Sequence, residues 1–99
     1  MGRKATEPIT FTNMDELVVY LMGNHSVYTE VGGQLFYITD VNCSYWRAQD
    51  TSSLNEKDHY VDCSELVPTL SEFITLPFVE GKSLTEIFDS AVFYPSVKD

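Results

Sequence analysis

Two successive glycines, Gly32 and Gly33, stand between runs rich in β-branched and aromatic residues, 27–31 and 34–41. A two-residue loop that accepts positive φ at both positions is the tightest way to join antiparallel strands, and its length fixes the register. Val31 then opposes Gln34, Thr29 opposes Phe36 and Val27 opposes Ile38, while Glu30 meets Leu35 and Tyr28 meets Tyr37. Successive side chains leave a strand on opposite faces. One face of this hairpin therefore carries Val27, Val31, Phe36 and Ile38, four apolar groups that belong in a core. The other carries two tyrosines beside a glutamate and is expected to be half exposed.

Upstream, Met14, Leu17, Val18 and Leu21 follow the i, i+3, i+4, i+7 spacing of a helix with one buried stripe. Asn13 and Glu16 stand in capping-box relation, and Asp15 puts negative charge where the helix dipole favours it. The sequence predicts a helix over 13–22, closed by Gly23 and Asn24 as a left-handed stop. Downstream, 43–48 reads as a third strand, 49–58 as a polar loop and 59–63 as a short fourth strand. From Ser64 the period changes, and Leu66, Val67, Leu70, Phe73 and Ile74 form a helical stripe ending at Leu76-Pro77, with Pro68 limiting how early the helix begins. Ser83 and Glu86 form a second capping box, opening a short helix with Leu84, Ile87 and Phe88. Residues 91–94 read as an edge strand stopped by Pro95. The expected fold is α+β: a small antiparallel β-meander of three to four strands, with an N-terminal helix and one or two C-terminal helices packed on one face. It forms a single domain over 9–95, with a disordered lead-in over 1–8 and a tail over 96–99.

Charge narrows the partners. Fifteen acidic residues face six basic ones, a combination that reads as disorder when aromatics are scarce, but here 13% of the 99 residues are Phe, Tyr or Trp. Arg3, Lys4 and Lys98 lie near the ends. Between residues 5 and 97 three basic side chains, Arg47, Lys57 and Lys82, stand against fourteen acids, a net of −11. A nucleic-acid backbone is held by Lys and Arg that displace condensed counterions, so direct DNA or RNA binding is not expected. A basic protein partner is favoured electrostatically, and solubility is the plainer use of the same charge. The longest apolar run, Leu17 to Met22, is six residues, far short of a membrane span of about 20. The basic start at Arg3-Lys4 is followed by Thr6, Glu7 and Pro8 rather than an apolar segment, so the expected location is cytoplasmic. The glycosylation patterns at Asn24 and Asn42 then carry no weight.

Chemistry-bearing residues are present without the spacing that chemistry needs. Cys43 and Cys63 are nineteen residues apart, and with His25 and His59 they lack the close-spaced pairs of a structural zinc site. Free thiols and no metal are expected. Asp50, Ser52, Glu56 and Asp58 resemble a calcium loop in composition, but Asn55 and Val61 occupy the positions that require glycine and a bidentate glutamate. No nucleophile elbow, phosphate loop or zinc-protease helix occurs. A small enzyme centred on His59, flanked by Asp58 and Asp62, is the weakest of the alternatives, and no cofactor is expected.

The tyrosines give a more specific expectation. Tyr28, Tyr37, Tyr45, Trp46 and Tyr60 fall in the strand region, and Tyr and Trp are enriched at interface centres. Alternation forces Tyr45 and Trp46 to opposite faces, so a buried Trp46 puts Tyr45 outside with Arg47. The sequence thus points to a non-enzymatic protein-interaction module. Its contact surface combines Tyr28, Tyr37 and Tyr45 with a steering set of acids, Asp50, Glu56, Asp58 and Asp62. The alternative is an inhibitor, antitoxin or immunity-type protein that imitates nucleic-acid charge against a basic partner.

Overall fold

A computed structural model describes residues 4–5, 7–41, 45–54, 56–57, 59–95 and 97–98. The hairpin forms as its turn dictates. Strands β2 (Ser26–Val31) and β3 (Gln34–Val41) pair antiparallel in the register the two-residue loop imposes, with Gly32 at φ 59° and Gly33 at φ 81°. Strand β1 (Lys4–Ala5) is separate and pairs with β7 (Val97–Lys98). Strands β4 (Tyr45–Leu54), β5 (Tyr60–Asp62) and β6 (Val92–Tyr94) complete an open antiparallel sheet in the order β5-β4-β3-β2-β6. The last strand lands beside the hairpin's first, so the chain closes the meander by an edge strand rather than by a further hairpin.

Helix α1 (Met14–Asn24) starts where the cap predicts, with the Asn13 side chain accepting from the Glu16 N–H at 3.1 Å. The Glu16 carboxylate reaches back one residue further than a standard box, accepting from the Thr12 N–H. The helix ends later than expected. Gly23 and Asn24 remain helical, and His25 takes the left-handed conformation at φ 64°, its N–H donating to the Leu21 carbonyl. His25 also holds Asp40 at 2.7 Å, a contact that anchors this junction to β3.

Two further expectations are corrected. The segment 49–58 was expected to be a loop, yet β4 runs on to Leu54. Its polar side chains find partners in the extended form: Thr51 Oγ1 donates to the Leu35 carbonyl at 2.8 Å. The turn chemistry at Asp50 is real but local. Its carboxylate accepts from the Ser52 N–H and hydroxyl at 2.9 and 2.6 Å, and the β4–β5 register shifts between Asp50 and Leu54. A turn-forming triplet thus shifts the register against β5 instead of ending the strand. The helix expected on the stripe from Leu66 to Ile74 is also shorter. Val67 exchanges backbone hydrogen bonds with Trp46, at 2.8 and 3.1 Å, so the chain is extended before Pro68, as steric conflict with a following proline favours. Helix α2 (Leu70–Phe73) begins after Thr69, which caps it. Helix α3 (Leu84–Ile87) carries the full Ser83–Glu86 capping box and runs into a 3-10 turn, Phe88–Ser90.

All three helices lie on one face of the sheet. Leu17 and Leu21 from α1, Leu70 and Phe73 from α2, and Leu84 and Ile87 from α3 share one cluster with Val27, Phe36, Ile38, Trp46, Ala48 and Phe93. Of the four hairpin residues assigned to the core, Val27, Phe36 and Ile38 are buried, while Val31 is half-buried beside the turn. Thr29, on the same side, is completely buried, and among the described residues its hydroxyl finds no hydrogen-bond partner.

Candidate functional site

With the helices on one side, the other side of the sheet is left without a covering layer among the described elements, and the register decides what it presents. Asp62 on β5 lies opposite Gln49 on β4, Gln49 opposite Tyr37 on β3, Tyr37 opposite Tyr28 on β2, and Tyr28 opposite Tyr94 on β6. These five side chains make one row across every strand, about 19 Å long at roughly 4.8 Å per strand. A neighbouring row places Leu35, Glu30 and Val92 side by side. Tyr45, 46% exposed, sits toward the far end of β4 opposite Val41, on the same side as Arg47, with Trp46 turned into the core.

Three rings form a compact group on this face. Tyr28 and Tyr37 lie 4.6 Å apart in a tilted stack, and Tyr60 meets them edge-on at 6.5 and 5.7 Å. Offset and edge-to-face geometries suit the ring quadrupole and fix the rings against one another. The Tyr28 and Tyr60 hydroxyls are 3.4 Å apart. Carboxylates stand at both ends of the row. The Tyr94 hydroxyl donates to Glu30 at 3.2 Å; partial burial, then the charge of Glu30 and this bond, push that phenol above its ordinary value. At the other end, Asp62 accepts from Gln49 Nε2 at 2.9 Å and holds Arg47 at 3.3 Å. Gln49 also donates to the Tyr60 carbonyl and is almost fully buried beneath these contacts.

The residues singled out in the sequence divide accordingly. Tyr28, Tyr37, Tyr45 and Asp62 share the open face. Asp50 does not, since its register partner Phe36 points into the core side and its carboxylate is engaged by Ser52. Glu56 lies in the exposed turn between β4 and β5. Asp58 and Cys43 lie outside the described residues. Gln49, Tyr60 and Tyr94 belong to the face but are not assigned to it from sequence, and Glu30 is placed there without being counted as a contact residue. The hairpin register already put Glu30 beside Leu35 on that side, whereas the pairing of Tyr94 with Tyr28 is a long-range contact without a local signal.

Other features offer less. A shallow groove of about 590 Å³ along the outside of α1 is lined by Phe11, Val19 and Tyr20 with Asp15 and Glu16. Cys63 is half-buried, and burial, followed by the charges of Asp50 and Asp62, pushes its thiol up to about 11. Among the described residues no cluster of His, Cys, Asp or Glu has the geometry to hold a metal ion, and no helix is long and apolar enough to cross a membrane. Comparisons with protein-family models, with curated proteins and with solved structures found no match.

Proposed function

We propose that the chain is a non-enzymatic protein-interaction module that uses the open face of its sheet to bind a positively charged protein. The observation that carries this reading is the segregation of the fold. Every helix packs on one side, while Tyr28, Tyr37, Tyr45, Tyr60 and Tyr94 all lie on the other. Tyrosine supplies large contact area at small entropic cost, and its hydroxyl tolerates water until a partner displaces it. A net charge of −9 favours a cationic partner and speeds its approach. The acids do not line one side as a phosphate mimic would need. Asp15 and Glu16 are on α1, Glu72 on α2 and Glu86 on α3, with Glu30 and Asp62 on the sheet.

The test uses a partner recovered with the intact chain from its host. Tyr45→Ala is expected to shorten the lifetime of the complex. Combining Glu30→Gln with Asp62→Asn is expected to slow association and flatten its salt dependence, because rim charges act mainly on the on-rate. Val19→Ser with Met22→Ser, on the exposed side of α1, should change neither. Loss of binding with the α1 pair and none with the sheet variants would overturn the reading. An on-rate indifferent to both salt and the charge variants would assign the acidity to solubility alone.

A further inference from the structure

We propose that the open face receives an arginine side chain of its partner at the Asp62 end of the tyrosine row, and that Arg47 occupies this place in the unbound chain. The inference rests on the open face being the contact surface and specifies what that surface recognises. Arg47 is the only basic residue contributed to that face by the described strands. Its guanidinium nitrogen approaches both Asp62 oxygens, at 3.3 and 3.5 Å, well beyond the 2.7–2.9 Å typical of a charge-assisted hydrogen bond. Its Nε is buried with no hydrogen-bond partner among the described residues. Arg47 is therefore poorly satisfied on both edges, a desolvated donor beside a loose ion pair.

Asp62 is suited to a better-placed guanidinium. It is 42% exposed at the side chain and is oriented by Gln49, whose amide uses one oxygen and leaves acceptor capacity on both. Beyond Gln49, two strands from Asp62 in the row, is the half-buried Tyr37 ring, stacked on Tyr28. A planar cation on a long side chain, able to fork onto a carboxylate and lie flat against an aromatic ring further along the row, is arginine rather than lysine, because the ammonium is compact, more strongly hydrated and unable to stack. The negative charge of the whole chain adds to the local attraction. An incoming arginine would displace Arg47, which then swings outward and gives its Nε to water. Arg47 is thus an internal competitor that tunes affinity downward and selects for partners able to outbid it.

The probe is a blocked peptide, acetyl-Gly-Arg-Gly-Arg-Gly-amide, with its lysine twin, titrated into the isotopically labelled full chain and followed by amide NMR. Arginine-peptide shifts are expected to centre on Tyr37, Arg47, Gln49 and Asp62, and to exceed those of the lysine twin. Asp62→Asn should weaken binding on the order of fivefold, and Arg47→Gln should strengthen it about threefold, the scale of one partly exposed ion pair. Glu72→Gln on α2 should leave the shifts in place. Equal responses to the two peptides spread over acids on every side, or an Arg47→Gln variant that retains the native spectrum and binds no more tightly, would overturn the proposal. If a recovered partner maps to the open face while the arginine peptide does not, the arginine site fails and the module reading stands. A partner that maps to the helical side removes both.

Discussion

Replacing Gly23 with alanine separates two descriptions of how α1 ends. A glycine that stops a helix does so at positive φ, where an added Cβ is strained by about 1 kcal/mol or more. In the structure Gly23 is instead within the last turn of α1, and the left-handed residue is His25 at φ 64°. A Cβ built on Gly23 meets nothing within 4 Å, so alanine adds no clash. The substitution then lowers the entropy of the unfolded chain and raises helix propensity, worth about 0.8–1.0 kcal/mol in a helix interior. Since Gly23 is one residue from the end of the helix, where ends fray, about 0.5–1 kcal/mol is the expected gain. For a domain of this size each kcal/mol moves Tm by roughly 4–8 °C, so a rise of about 2–8 °C should appear in thermal unfolding followed by circular dichroism. Urea titration should show a higher midpoint with an unchanged slope. A loss of 1 kcal/mol or more would mean that Gly23 carries the left-handed turn and that His25 does not.

Two other perturbations probe the core and its margin. Thr29→Val replaces a fully buried hydroxyl that lacks a partner with a methyl of the same shape, between Phe36 and Phe93 in the register, and should stabilise the fold by about 1–2 kcal/mol in urea titration; a comparable loss would show that the hydroxyl is hydrogen-bonded. Cys63, with its thiol pushed up to about 11 from an ordinary 9.0, is held neutral by the fold, so an unfolded thiol ionises first and this contribution to stability is lost as pH rises through the window between those values. In a Cys43→Ser background, alkylation of Cys63 at pH 8 should be ten- to a hundredfold or so slower than for a free peptide thiol, and a rate equal to the free thiol's would refute the burial argument.

What the chain discloses locally follows where a single short-range rule decides. Gly32-Gly33 admits one loop length, which sets six residue pairs at once, and the burial of Val27, Phe36 and Ile38 follows from alternation alone. The Ser83–Glu86 box needs only four residues to declare itself. Expectations failed where two local signals competed and a distant strand decided between them. Asp50 and Ser52 carry genuine turn chemistry, but β3 pairs with β4 as far as Asp50, Thr51 Oγ1 donates to the Leu35 carbonyl, and β5 pairs again at Leu54, so the strand runs on past it. Leu66 and Val67 fit a helical stripe with Leu70 and Phe73, yet the Trp46 backbone captures Val67 before Pro68. The open face was half legible. Tyr28 and Tyr37 fall together from the hairpin register, whereas Tyr94 and Tyr60 join them only through β6 and β5, whose pairing depends on the whole chain folding.

The claim that the tyrosine face is the contact surface is tested most directly by site-specific photocrosslinking. A benzoylphenylalanine placed at Tyr45, exposed on the open face, is compared with one at Met22, exposed on α1, each in the intact chain bound to its recovered partner. Adducts formed from position 45 and not from position 22, and suppressed when Glu30→Gln and Asp62→Asn are combined, are the expected result. Adducts from position 22 alone would place the partner on the helical side and contradict the account.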